Sequence, residues 1–448
     1  MKIGFVATSI LGLIVLLNAC TKDRMPTLVE LDNQLENSIQ GKSPNGTLDF
    51  YVLPNENDLH LIPQDPKNPL TPQKVELGKL MYHDTGLGQD PMKEAGRGTY
   101  SCASCHVSEA GFRPGNFQGI ADGGVNFGIG GEDRVKNTLY SDDELDVQSA
   151  RPLSMVNVAY VSNTFWNGQF GGGNVNEGTE DVWDLRDDTE LNHLGFEGIE
   201  TQNMDGLIAH RITINKELLD EYGYTFLFDQ VFADVPVEER YTIATASLAF
   251  SAYIRTILAN RAPFQDWLKG DREALGYEEK KGAILFFEKA QCIQCHYNQN
   301  LGSSEFHALG VTDMDQIPSY NTSPDDRRNL GRGGFTLQPE DNYRFKVPGI
   351  YNLQGANFYF HGASKTSIRD LVEYKNAAQS ENSRVPQDLI SSKFKPIGLT
   401  EEEKYHLIAF LENGLQDPDL KRYVPTSVLS GNCFPNADEA SQLDLGCN

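Results

Sequence analysis

The sequence predicts a mostly α-helical protein made of two duplicated halves with long irregular loops, and three observations carry that prediction. Apolar residues recur at helical spacing in four segments, 74–83, 237–258, 277–292 and 401–415, and no alternating run is long enough for a major sheet. Two of these helical segments precede the same pattern, Cys102-Ala103-Ser104-Cys105-His106 and Cys292-Ile293-Gln294-Cys295-His296. The 41 glycines and 21 prolines point to irregular connections between helices.

From the N-terminus, Lys2 and the apolar stretch 3–17 read as an export signal, too short for a comfortable membrane span. It closes on Leu17-Asn18-Ala19-Cys20, which resembles a bacterial lipoprotein cleavage box, so residues 1–19 are expected to be removed and Cys20 to carry lipid. An ordinary secretory peptide with Cys20 as a bystander is the alternative. Either reading places the protein outside the cytoplasm, in the periplasm, and a lipid would hold it on a membrane surface without spanning it. Residues 20–69 are expected to form an extension that begins as a polar tether over 21–45. The first domain then covers 70–270 and the second 271–425, with the boundary in the charged stretch 269–278. Residues 426–448 make a tail whose Cys433 and Cys447 are expected to bridge, two free thiols being the alternative.

Cys-x-x-Cys-His is the attachment pattern of c-type haem: two thiols bond the porphyrin and the adjacent His ligates the iron. A redox dithiol or half a zinc site would explain one copy. Two copies starting 190 positions apart, each with its His, imply two separate haem sites and hence two cytochrome c-like domains. Met, Tyr or another distal ligand would then set each potential. The net charge of −25 argues against nucleic acid as a partner and is compatible with a basic electron carrier.

Further motifs follow in order. Leu77-Gly78-Lys79-Leu80 with Asp84, Phe165-Trp166-Asn167-Gly168, Phe306-His307, Asn329-Leu330-Gly331-Arg332, Phe345-Lys346-Val347-Pro348 and Tyr359-Phe360-His361-Gly362 surround the two haem patterns. Together they resemble the bacterial di-haem cytochrome c peroxidase and MauG family over most of residues 70–425.

That resemblance implies two facing haem domains, one reacting with hydrogen peroxide and one receiving electrons from a small cytochrome c or similar donor. It makes His106 and His296 the proximal ligands and Trp166 the relay between haems. The loop 107–134 contains no His, so the first haem is expected to be open without reductive activation, as in MauG-type members. The family's distal Gln and Glu positions fall on His193 and Asn203; His193 is expected to move protons, with Glu197 or Glu200 as alternatives. The distal ligand position of the second haem falls on Lys375, beside Tyr374, and Tyr374 is slightly preferred. His307 and His361 are expected to contact haem propionates or structure, and His60, His83, His210 and His406 are left as bystanders. The family's interdomain calcium position falls on Arg151, which leaves calcium as an optional ion with weak side-chain support. The leading expectation is a peroxidase that reduces hydrogen peroxide to water. A MauG-like oxidase acting on another protein or small molecule is the second, and a plain electron-transfer cytochrome the third.

Overall fold

The computed structural model describes residues 25–447. The export signal and Cys20 lie outside the described residues. Helices dominate, and strands are confined to two antiparallel two-stranded ladders, Gly124–Val125 with Val135–Lys136 and Phe306–His307 with Phe345–Lys346.

The segment expected to be a tether instead begins with helix α1 (Leu28–Lys42). Thr27 and Glu30 form a reciprocal capping box, and Leu31, Leu35 and Ile39, at i, i+4 and i+8, give it a buried stripe. The stripe packs on the helix preceding the second haem pattern. Asp32 fixes the contact by accepting from Trp267 Nε1 at 2.8 Å and pairing with the buried Lys280 at 2.7 Å.

Each half is built on one helix crossing. In the first, α2 (Pro72–His83) starts where the Thr71 hydroxyl accepts from Lys74 N and Pro72 occupies the first turn. The helix α3 (Gly198–Ala209) follows a long irregular stretch, and both α2 and α3 pack on α4 (Ile243–Arg255). The periodic segment 237–258 is broken ahead of α4, because Thr242 caps a fresh helix there. In the second half, α5 (Tyr277–Phe287) packs on α7 (Glu401–Ala409), and α6 (Ile368–Ala377) lies against α7. Beyond Ala409 the last helix widens into a π-turn over Phe410–Gly414.

Both crossings are made by glycine. A Cβ on Gly78 would run into the Ala249 carbonyl of α4, and one on Gly282 would run into the His406 carbonyl of α7. The missing side chain lets two backbones touch, which sets the angle at which each helix delivers the chain into its haem pattern. One continuous apolar core runs through both halves, from Leu31 to Tyr423.

The tail folds back on the first half. Ser101 and Ser104 both donate to the Pro435 carbonyl, at 2.9 and 3.1 Å, and Ala437 N donates to Thr99 O at 3.0 Å. The short helix α8 (Glu439–Leu445) is held by Asp444, which accepts from Phe127 N and Gly128 N at 3.0 and 2.9 Å. Cys433 and Cys447 form a disulfide, as the sequence leads one to expect.

Candidate haem sites

The two Cys-x-x-Cys-His segments take the same local shape. Each opens with one 3₁₀ turn, Cys102–Ser104 or Cys292–Gln294, and the His amide reaches back to the first Cys carbonyl at 3.1 Å (His106) or 3.0 Å (His296). In each, the His ring is anchored through Nδ1. His106 donates to Phe112 O at 3.0 Å and His296 to Leu301 O at 2.7 Å. A carbonyl on Nδ1 fixes the tautomer and leaves the Nε2 lone pair for a metal. Burial holds both rings neutral, with pKa lowered to about 4.

The four thiols are unpaired. Burial pushes Cys102, Cys105 and Cys292 up to about 12 and raises Cys295 as well. Thiols kept neutral in this way do not suit a nucleophilic dithiol, which needs thiolate. They fit covalent attachment to haem. In the second half the fit extends to space: Cys292, Cys295 and His296 line a mainly apolar cavity of about 300 Å³, which also includes Lys375, Phe360 and Trp166.

Trp166 is gripped by both halves. Its Nε1 donates to Arg151 O at 2.7 Å, Lys346 N donates to its carbonyl at 2.7 Å, and its ring meets His361 edge-on at 6.2 Å. His361 is itself paired with Asp313 at 2.9 Å and stacked on Phe345. His307, between Glu305 at 2.8 Å and Ser391 at 3.0 Å, lies 3.7 Å from Cys295 Sγ, on the rim of the second site.

The sequence-derived distal residues separate. His193 is a surface side chain, 46% exposed, with Nε2 2.6 Å from the exposed Asp184 and its ring against Trp183, in a small cluster apart from the main core. Glu200 is fully buried but taken: Arg255 donates to both its oxygens, at 2.9 and 2.7 Å, and Asn68 adds a third bond at 3.2 Å. Glu197 accepts from the same Arg255 at 2.9 Å; its own burial raises its pKa, against the pull of that guanidinium. Both carboxylates therefore pin α3 to α4. Asn203 donates to Ser251 of α4 at 2.8 Å.

His210, left as a bystander from the sequence, also stands near the first haem site. It lies seven positions after Asn203, two helical turns on and so on the same face. Its Nδ1 is 2.9 Å from both oxygens of the buried Asp146. The charge of Asp146 bears on Cys102 and Cys105, and that of His210 on His106, so the pair stands beside the first haem site. Burial works against the charged ring, but Asp146 and then Asp205 outweigh it and raise the pKa above 6.5. The sequence signal was its spacing from Asn203; the partner, 64 positions away, gave none.

At the second site, Tyr374 and Lys375 point apart. The Tyr374 hydroxyl donates to Leu309 O at 2.7 Å, whereas Lys375 lines the cavity with His296. Burial lowers the Lys375 pKa to about 8.

Arg151, where the resemblance puts calcium, is buried and fully engaged. Its guanidinium donates to Pro114 O at 2.7 Å, Phe117 O at 3.2 Å and Ala356 O at 3.0 Å, and also to Asn116 O. A fixed cation thus already satisfies carbonyls from both halves.

A family model described as di-haem cytochrome c peroxidase matches residues 72–273. The cytochrome-c peroxidase IdrP1 of Denitromonas iodatirespirans is 28% identical over 372 residues, covering 78% of this chain and 84% of that protein. The methylamine utilization protein MauG of Methylorubrum extorquens is 26% identical over 367 residues, covering 80% and 82%. The chain is similar to the di-haem cytochrome c peroxidases in its first half by the family model and over most of its length by these relatives. Among solved structures, a MauG-like protein associated with microbial copper homeostasis superposes with a TM-score of 0.57 at 22% identity, over 82% of this chain and 95% of that one, which shows the shared fold. That likeness accounts for the paired haem patterns and implies two c-type haems as the cofactors.

Proposed function

We propose that the protein is an extracytoplasmic di-haem peroxidase that reduces hydrogen peroxide to water with electrons from a small cytochrome c or similar donor. The observation that carries this reading is the His–Asp pair that stands beside the first of two matched haem sites. When bound, haem supplies the iron chemistry at the O–O bond and the stored electrons. The chain's own part is to hold the irons through His106 and His296, to place Trp166 between the halves, and to move protons at the first site. For that last task His210 is better placed than His193: Asp146 holds its Nδ1 and leaves Nε2 to exchange a proton.

The disulfide supports an oxidising compartment. Among the described residues no helix is long and apolar enough to cross a membrane, so attachment would rest on a lipid at Cys20. Calcium is not part of this proposal, because a buried guanidinium, Arg151, stands where the resemblance puts the ion.

The test is turnover of the haem-loaded protein with hydrogen peroxide and a reduced small cytochrome c. Sustained peroxide-dependent oxidation of the cytochrome supports the proposal. A spectral response to peroxide without turnover overturns it in favour of a MauG-like oxidase, the reading that a lysine or tyrosine at the second haem also favours.

A further inference from the structure

We propose that the Lys375 side-chain amine is the sixth ligand of the second haem iron, opposite His296. This inference rests on the reading of 292–296 as a haem site.

The choice between neighbours on α6 is geometric. Successive helical residues are about 100° apart, so Tyr374 and Lys375 cannot both face one cavity. Tyr374 is committed elsewhere, with its hydroxyl on Leu309 O and its ring packed against Phe360 and Phe394. Lys375 is the one that shares a wall with His296 and both haem-bonding thiols.

The state of the amine points the same way. Among the described residues it has no hydrogen-bond acceptor and no carboxylate partner; its neighbours are the rings of Phe360 and Phe394, at 5.5 and 5.7 Å. An ammonium left like this in a mainly apolar cavity is costly, and an iron that accepts the amine lone pair removes the cost. On ligation the ammonium gives its proton to solvent and its lone pair to the iron, with no change of oxidation state.

A second buried lysine lines the same cavity, and its surroundings assign it another task. Lys346 lies over Phe306 at 4.8 Å and feels the charge of Arg332, while the charge of Lys375 bears on His296, Cys292 and Cys295. Lys346 thus answers to Arg332, a guanidinium held by Asn176 and Val175, rather than to the haem-bonding residues. The remaining imidazoles on the wall, His307 and His361, are held by Glu305 and Asp313. An amine is a harder, stronger donor than the thioether of Met, so it favours ferric iron and gives the second haem a low potential.

The experiment uses the full-length holoprotein and reads spectra rather than turnover. Mass spectrometry first establishes haem on Cys292 and Cys295; a chain that carries no haem there overturns the functional reading itself. With haem in place, Lys375→Ala should convert the second haem from low-spin to a form that binds added imidazole, and Lys375→Met should raise its midpoint potential. Tyr374→Phe should leave spectrum and potential as they were. If Lys375→Ala and Lys375→Met leave the second haem's spectrum and potential unchanged, or Tyr374→Phe alone changes them, Lys375 is not the ligand.

Discussion

The two halves share everything that delivers a histidine to an iron and differ in everything that faces it. A glycine crossing, a 3₁₀ turn and a carbonyl on Nδ1 recur at Gly78 and Gly282, at Cys102 and Cys292, and at His106 and His296. Opposite this common frame, the first half sets a His–Asp pair and the second a lysine among aromatic rings. Duplicated architecture fixes where a cofactor hangs; a few undoubled side chains decide what each copy does with it.

The largest expected effect breaks the comparison at the first site. His210→Gln should slow the reaction of holoprotein with hydrogen peroxide by about 100-fold or more, the usual contribution of a positioned acid–base group. His193→Gln should leave it unchanged in the same stopped-flow measurement. The pH profile sharpens the assignment. Only the neutral ring accepts a proton, and its raised pKa keeps the ring charged to higher pH, so the acid limb should lie above 6.5. In Asp146→Asn the raising charge is gone while burial remains, and the limb should move to lower pH.

The next effect is on stability and belongs to the first half alone. Breaking the 14-residue Cys433–Cys447 loop in Cys433→Ser should cost about 3 kcal/mol, read from a denaturation midpoint. Hydrogen exchange should report loosening around Ser101 and Ser104 before it reports any around Cys292.

The halves should respond alike where they are built alike. Gly78→Ala and Gly282→Ala each force a methyl into a facing carbonyl and should each cost about 1–3 kcal/mol. A large inequality between them would show that the two crossings are not equivalent. The smallest expected effect is none: a calcium chelator should leave stability and turnover unchanged, because the Arg151 guanidinium stands at the position the resemblance gives calcium.

Sequence made the frame legible because the frame is local. Two five-residue patterns gave the haem sites, and helical spacing gave the segments 74–83, 277–292 and 401–415, in which the structure has α2, α5 and α7. The distal side was not legible, because it is assembled from distance. His210 acquires its meaning from Asp146 and Arg151 from carbonyls of two segments, and the choice of Lys375 over its neighbour Tyr374 comes from a cavity that periodicity does not describe. Glu200 has the residue type of an acid–base group, but Arg255 binds both its oxygens. Helix α1 was missed because three apolar residues in a polar stretch signal weakly without their partner α5.

The tail over Ser101 and Ser104 also ties two remote stretches of chain together. Pro435 meets the serines that flank and separate the first pair of haem-bonding cysteines, more than 300 positions away. The disulfide closes the chain just around that contact, so it acts as a latch beside the first site.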